Sequence, residues 1–334
     1  MNHSKVFIGP MSKNVVDSII EFSTKNSFGI GFIPSRRQVE YDGGYVNGWT
    51  TEHFSEYVKS KSFPYPVCRD HGGEYQGKII DDGKRSYTED CKYLDLIHID
   101  PFRVCDNIEQ AAVKTKNSIE EIWKNNSNVY YEVGTEEAIF KYSPDDLDWF
   151  LNYLKTNLKE EKFLKIKYAV IQSGTRLNLY ERKNIGVFDK DRCAHFISVV
   201  KKYKLLSKEH NGDYLIDKNG VEKRFEMGLD AINIAPEFGQ IESEYYLEKC
   251  SKNKKLLSEL YKICYDSGKW KKWIANENEV SKKQLIITCC HYVLSDDRFL
   301  NAIKTNFPDS DFEIKQKINL KLNLLYEQTK NYCI

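Results

Sequence analysis

Val67-Cys68-Arg69-Asp70-His71-Gly72-Gly73 is a short apolar strand that stops abruptly in an arginine, a carboxylate, an imidazole and two glycines. A buried parallel strand is apolar along its length, and in a (β/α) barrel its C-terminal end opens onto the face where loops hold polar groups. The paired glycines let the backbone turn sharply and let a ligand approach. Asp beside His supplies a metal ligand or base together with a proton carrier. Alone, such a triplet is most often an ordinary turn; its weight comes from recurrence.

Strand-like runs with the same kind of ending occur on both sides of it. Residues 6–8 read as a first strand, with helical spacing in Val15, Val16, Ile19, Ile20 and Phe22 after it. Residues 28–33 form a second, breaking at Pro34 into Ser35-Arg36-Arg37-Gln38, and Thr50 or Thr51 can cap the next helix. After the quoted strand, residues 94–99 end in His98-Ile99-Asp100-Pro101, and 129–133 end in Gly134-Thr135-Glu136-Glu137. Residues 168–171 end in Gln172-Ser173-Gly174-Thr175, those from Leu205 end in Glu209-His210-Asn211-Gly212-Asp213, and 229–234 end in Ala235-Pro236-Glu237. About eight apolar strands separated by helical segments predict a TIM (β/α)8 barrel over residues 1–240, with a helical C-terminal extension over 241–334 packed on it. A doubly wound sheet is the alternative, but no G-x-G-x-x-G follows the first strand and no Walker sequence occurs.

Composition narrows the function classes. Fifty Lys and Arg against 49 Asp and Glu leave no net field to draw the chain to nucleic acid or an anionic membrane, so any anion site must be local. A hydrophobic fraction of 41% supports a buried core. Nine cysteines without C-x-x-C spacing suggest reduced thiols, neither a disulfide framework nor a zinc ribbon. No apolar run reaches a membrane span and no signal-peptide core follows Met1, so a soluble cytoplasmic protein is expected. Lys269-Trp270-Lys271-Lys272-Trp273 could stack a base, but a solvated helix face with two packed tryptophans is the plainer reading.

The strand ends supply Asp70 with His71, His98 with Asp100, Glu132 with Glu136 and Glu137, and Glu209 with His210, and a barrel would gather them at one mouth. Zn²⁺, Mn²⁺ and Mg²⁺ take imidazole and carboxylate ligands, with zinc the best match to imidazole. His71, His210 and Glu136 are the expected metal ligands, and Asp70, Asp100 and Glu136 the expected catalytic carboxylates. Strand alternation gives His98 and Asp100 one direction and sets Asp70 against His71, unless the strand has already ended there. Arg36, Arg37 and Arg69, with Gln38 and Gln172, are expected at the substrate, because guanidinium groups take phosphate or carboxylate in paired hydrogen bonds. Ion pairing with neighbouring acids is the competing reading for the arginines. His3, His53, His195 and His291 read as structural.

Read along the chain, Val39 through Gly43-Gly44-Tyr45 to Thr50, Asp70-His71, His98-Ile99-Asp100, Gly134-Thr135-Glu136, Gln172 with Gly174, Glu209-His210 with Asp213-Tyr214, Pro236, and Tyr292 through Ser295-Asp296-Asp297-Arg298 resemble the GatZ/KbaZ-like family, named for the accessory subunit of tagatose-bisphosphate aldolase. The resemblance implies a TIM barrel related to class II, metal-dependent aldolases. It implies either C4 epimerisation or carbon–carbon cleavage of a phosphorylated ketose, or a non-catalytic subunit that stabilises a separate aldolase. On it, Asp70-His71 falls where a proton-transferring carboxylate stands beside a metal-binding histidine, and Glu136 and His210 fall at further ligands. Arg36-Arg37 stands where small polar residues are expected and Arg69 where glycine precedes Asp-His, which points to a different or more acidic sugar. The expected partners are a sugar substrate and either a class II aldolase or further copies of the chain.

Overall fold

The computed structural model describes residues 4–135, 141–274 and 280–332. Its strands are β1 (Val6–Ile8), β2 (Ile30–Phe32), β3 (Cys68–Gly72), β4 (Leu96–Ile99), β5 (Tyr130–Gly134), β6 (Ile166–Ile171), β7 (Thr175–Asn178), β8 (Lys183–Gly186), β9 (Leu206–Glu209) and β10 (Ala231–Ile234). Eight of them form one sheet in the order β2-β1-β10-β9-β6-β5-β4-β3, with parallel pairing throughout. Two parallel bridges, Phe32 to Val67 and Ser35 to Asp70, join the ends of that series. The result is the (β/α)8 barrel that the strand spacing predicts.

The β2–β3 seam is closed by isolated bridges rather than a continuous ladder, and a side chain reinforces it. Arg69, with no exposed surface, points out of the barrel and donates to the carbonyls of Pro34 (3.0 Å) and Val39 (2.7 Å) in the loop after β2. Its other edge forks onto Asp90 at 2.8 and 2.5 Å.

Alternation along the strands separates two cores. Phe7, Cys68, Leu96, Tyr168 and Ala231 fill the barrel interior, while neighbours such as Val6, Ile8, Ile97, Val133 and Ile232 join the larger layer between sheet and helices. Each fully buried aliphatic or aromatic side chain in that layer contributes roughly 1.5–3 kcal/mol. The helix Lys13–Asn26 follows the predicted apolar spacing and is capped by Ser12, which accepts the Val15 N–H. Helix Thr51–Ser60 starts from the expected cap, Thr50. Helix Pro144–Asn157 has proline in its first turn and a reciprocal cap between Ser143 and Asp146.

Among the elements additional to the sequence reading are a helix and a hairpin near the mouth. Helix Lys84–Tyr93 buries Ser86, Tyr87, Asp90 and Cys91, so its inner face carries little apolar periodicity to read. The β7–β8 hairpin is antiparallel and largely polar; it stands beyond the end of β6 and brings Leu177 to the barrel mouth.

Helix Pro236–Cys250 leads from the last barrel strand into the extension. The final helix, Ser310–Thr329, returns to the beginning of the chain. There Asn14 donates to Asp311 at 2.9 Å, and Tyr326 meets the edges of Phe22 and Phe28. Among the described residues no helix is long and apolar enough to cross a membrane. The eight described cysteines are buried and free, as expected of reduced thiols.

Candidate metal centre and active site

Interior-facing positions at the C-terminal ends of the strands build one polar cluster. On β4, Leu96 faces inward, so His98 and Asp100 do as well. On β5 the residue in register with His98 is Glu132, and on β9 parity turns Lys208 inward, with His210 just beyond the strand. On β3, Cys68 and Asp70 share the inner face, which by parity would send His71 outward. The strand is irregular there: its register with β4 shifts between Arg69 and Gly72. His71 adopts φ +47°, a left-handed backbone that costs a residue with a Cβ about 1–2 kcal/mol. That turn brings its imidazole to the same place as Asp70.

The glycines explain how the turn is tolerated. Gly73 takes φ +118°, and a Cβ on Gly72 would lie 2.7 Å from the His98 carbonyl oxygen. Arg36, 1% exposed, donates to the Gly73 carbonyl at 2.6 Å and to both Asp81 oxygens at 2.8 and 2.6 Å, and also pairs with Glu40.

Ligand atoms of His71, His98 and His210 all lie within 4.8 Å of one another. The ring centroids are 5.5 Å apart for His71–His98 and His71–His210, and 4.8 Å for His98–His210. Each outer imidazole is held by a buried carboxylate. His71 Nδ1 is 2.7 Å from Asp100 and His210 Nε2 is 2.5 Å from Glu132, which leaves His71 Nε2 and His210 Nδ1 toward Asp70 at 3.8 and 3.6 Å. Carboxylates in this position fix the ring and raise its basicity as a ligand. The donor set therefore fits a divalent metal that favours imidazole. His98 is fully buried, and its Nδ1 takes the His71 backbone N–H at 3.3 Å.

Beneath the imidazoles, Lys208 donates to Glu132 at 2.6 Å with both side chains wholly buried, and its ammonium lies 3.7 Å from the centre of the Phe7 ring. Burial would raise the Glu132 carboxyl, but the charge of Lys208 and then His210 holds it well below its usual range. Asp100 behaves alike: burial pushes it up, and the hydrogen bond and charge of His71 override this, leaving it at about 2.

The cluster opens into a cavity of about 570 Å³, lined by Asp70, His71, His210, Asn233, Arg37, Gln38 and several residues of the extension. Of the sequence-predicted residues, Asp70, His71, His210, Arg37 and Gln38 come together there. Gln38 is 5% exposed and accepts the Ser35 N–H at 2.8 Å. Gln172 is buried at the end of β6, its carbonyl taking the Arg192 guanidinium at 3.1 Å, away from the cavity lining. Arg36 and Arg69, expected at the substrate, are both buried, with their guanidiniums on ion pairs and carbonyls of the loops around the cluster. Glu209 faces out of the barrel to Arg224 at 2.6 Å. Glu136, expected as ligand and catalytic group, and Glu137 lie outside the described residues.

His98, the third imidazole of the cluster, is not among the ligands expected from the sequence. Its signal was present, since strand alternation gives it one direction with Asp100.

In sequence, no protein-family model and no curated protein matches the chain. Solved structures do match in fold. A probable tagatose 6 phosphate kinase from Sinorhizobium meliloti 1021 superposes with a TM-score of 0.73 at 16% identity, covering 98% of this chain and 91% of its own. The fold is the one that the motif resemblance implies. Fructuronate-tagaturonate epimerase UxaE from Cohnella laeviribosi gives 0.61 at 11% identity over 97% of this chain and 81% of its own. Fructose-bisphosphate aldolase from Campylobacter jejuni gives 0.59 at 10% identity over 99% and 90%. The chain is thus similar in fold to an aldolase and an epimerase of sugars.

Proposed function

We propose that the chain is a metal-dependent sugar lyase or epimerase of class II aldolase type, acting on a phosphorylated or otherwise anionic keto sugar. The observation that carries this reading is the convergence of His71, His98 and His210 within 4.8 Å, with the Asp70 carboxylate beside two of them at a barrel mouth. A divalent cation held by the three imidazoles would supply Lewis-acid polarisation of a carbonyl.

The chain's own groups carry the rest. Asp70 lines the cavity and receives an N–H from Asn233 at 3.4 Å, which orients it to take the proton from the hydroxyl on the fourth carbon. As that proton leaves, the bond between the third and fourth carbons breaks, and its electron pair moves toward the ketone oxygen. Asp100 and Glu132 keep the imidazoles in place throughout. Release of the aldehyde makes the reaction a cleavage; rotation and re-addition to the other face make it an epimerisation. Leu177 on the β7–β8 hairpin and Trp273 on the extension wall the cavity, and how long they retain the aldehyde decides between the two.

Elemental mass spectrometry of the purified chain, prepared without chelators, tests the reading. One divalent metal per chain is expected, lost in His71→Ala and in His98→Ala, followed by cleavage or epimerisation of a ketose phosphate or keto acid sugar. No bound metal after incubation with Zn²⁺ or Mn²⁺ would overturn it in favour of the stabilising-subunit reading, for which the exposed Phe312, Leu320 and Leu324 on the last helix would be the docking stripe.

A further inference from the structure

The Lys269-Trp270-Lys271-Lys272-Trp273 motif is a wall of the cavity, where the sequence alone suggests a solvated helix. Gly268, at φ +63°, turns the chain into a 3₁₀ helix at Lys269–Lys272. Side chains three residues apart eclipse one another in this helix, so Lys269 and Lys272 share a face. Both line the cavity that holds Asp70, His71 and His210, and Lys271 does not. Trp270 anchors the turn: it is 4% exposed and its indole N–H donates to the Tyr265 carbonyl at 2.9 Å. Trp273 is fixed by the Tyr292 hydroxyl at 3.0 Å, with the Lys272 ammonium over its ring at 4.5 Å.

Arg37 enters the same cavity from the loop after β2. Among the described residues, no carboxylate stands within 4.0 Å of the charged nitrogens of Arg37, Lys269 or Lys272. The remaining lysine of the lining, Lys78, is paired with Asp42 at 3.3 Å. In a chain with 50 basic and 49 acidic residues, three cations without an ion-pair partner around one cavity, facing the Asp70 carboxylate, are a local feature. Arg37 stands close enough to Lys272 to disfavour its charge. Lys272 is exposed at the mouth, and the surrounding protein with Arg37 and Arg103 pushes its ammonium down to about 8, against the opposing pull of Asp70.

We propose that Lys269, Lys272 and Arg37 form an anion subsite for the end of the substrate remote from the reacting carbons, supplied in two of its three charges by the helical extension. The ligand chemistry is a phosphate monoester or a carboxylate. Ammonium groups meet either as point charges and the guanidinium as a fork. The inference rests on the assignment of the cavity as the active site, and its test separates the two.

Inorganic phosphate and gluconate, which lack a ketone, are titrated calorimetrically into the full-length His98→Ala chain, so that imidazole-bound metal contributes nothing. At least one anion is expected to bind, and Lys269→Gln with Lys272→Gln is expected to weaken it tenfold or more. Lys271→Gln, outside the cavity, is expected to leave it within twofold, with unchanged near-ultraviolet circular dichroism in every variant. Preference for phosphate identifies a phosphorylated sugar, and preference for gluconate identifies a sugar acid. The subsite is overturned if neither anion binds, if the double variant binds as well as the parent, or if Lys271→Gln loses as much. Turnover of keto sugars without charge dependence at these lysines would sink the subsite and leave the catalytic reading standing. Anion binding without metal or turnover would do the reverse.

Discussion

Neutralising Glu132 tests the construction of the site from below. Glu132→Gln keeps the side-chain shape and leaves Lys208 fully buried with its counter-charge gone, since the ammonium's carboxylate contact is the one to Glu132 at 2.6 Å. Removing one partner of a buried pair costs about 3–5 kcal/mol, because the surviving charge is left uncompensated. The Phe7 face, 3.7 Å from the ammonium, offsets at most about 2 kcal/mol of this. A net loss of about 1–5 kcal/mol is therefore expected, a large share of a typical stability of about 5–15 kcal/mol. Lys208→Met in the same background removes the stranded charge and should restore most of the loss. Urea titration followed by circular dichroism measures all four corners of the cycle. Because Glu132 also holds His210 at 2.5 Å, metal affinity should fall roughly 10–100-fold in both the single and the double variant. A single variant within about 1 kcal/mol of the parent, or a double variant no more stable than the single, would refute the view that an ion pair supports the metal centre.

Asp70→Asn keeps the volume beside the imidazoles and removes the proton acceptor; turnover is expected to drop about 10²–10⁴-fold with metal content unchanged, and loss of metal instead would make Asp70 a ligand. Glu242, 2% exposed, is pushed up to about 7 by burial, only partly offset by hydrogen bonds from Ser12 and Asn14. Its folded value lies above the unfolded one, so between about pH 4.5 and 7 the unfolded chain releases a proton that the folded chain keeps, and stability falls as pH rises through that window. Glu242→Gln should flatten the fall, on the order of 3 kcal/mol between pH 4.5 and 7; thermal melts of both proteins across that range that run parallel would exclude it.

The barrel was legible because its strands carry their apolar residues in short uninterrupted runs and their polar residues at the ends. Parity then did much of the work for the site. His98 with Asp100, and Lys208 with His210, could be assigned to one face by counting alone. His71 could not, because its orientation depends on a left-handed residue and a register shift in β3. Arg69 and Glu209 illustrate the opposite failure. Each sits at a strand end beside a residue of the candidate site, and each faces outward to a partner, Asp90 or Arg224, on another element. The hairpin and helix Lys84–Tyr93 escaped for want of apolar repeats. The role of residues 269–273 needed the 3₁₀ geometry, since a period of three and a period of 3.6 place Lys272 differently.

The return of the last helix to the first sets the order in which this chain can mature. Helix Lys13–Asn26 offers an apolar face that helix Ser310–Thr329 completes, with Asn14 and Asp311 in contact across 297 residues of chain. At about 5–20 residues per second, a ribosome needs roughly fifteen seconds to a minute to make the intervening segment. Throughout that interval the first helix must wait, and β1 lacks β10 as its second neighbour until the barrel strands are finished. Such long-range closure slows folding and leaves sticky surface on the nascent chain. Synthesis that stalls before residue 310 would therefore yield an intermediate suited to chaperone capture, even though every residue of the imidazole cluster has already been made.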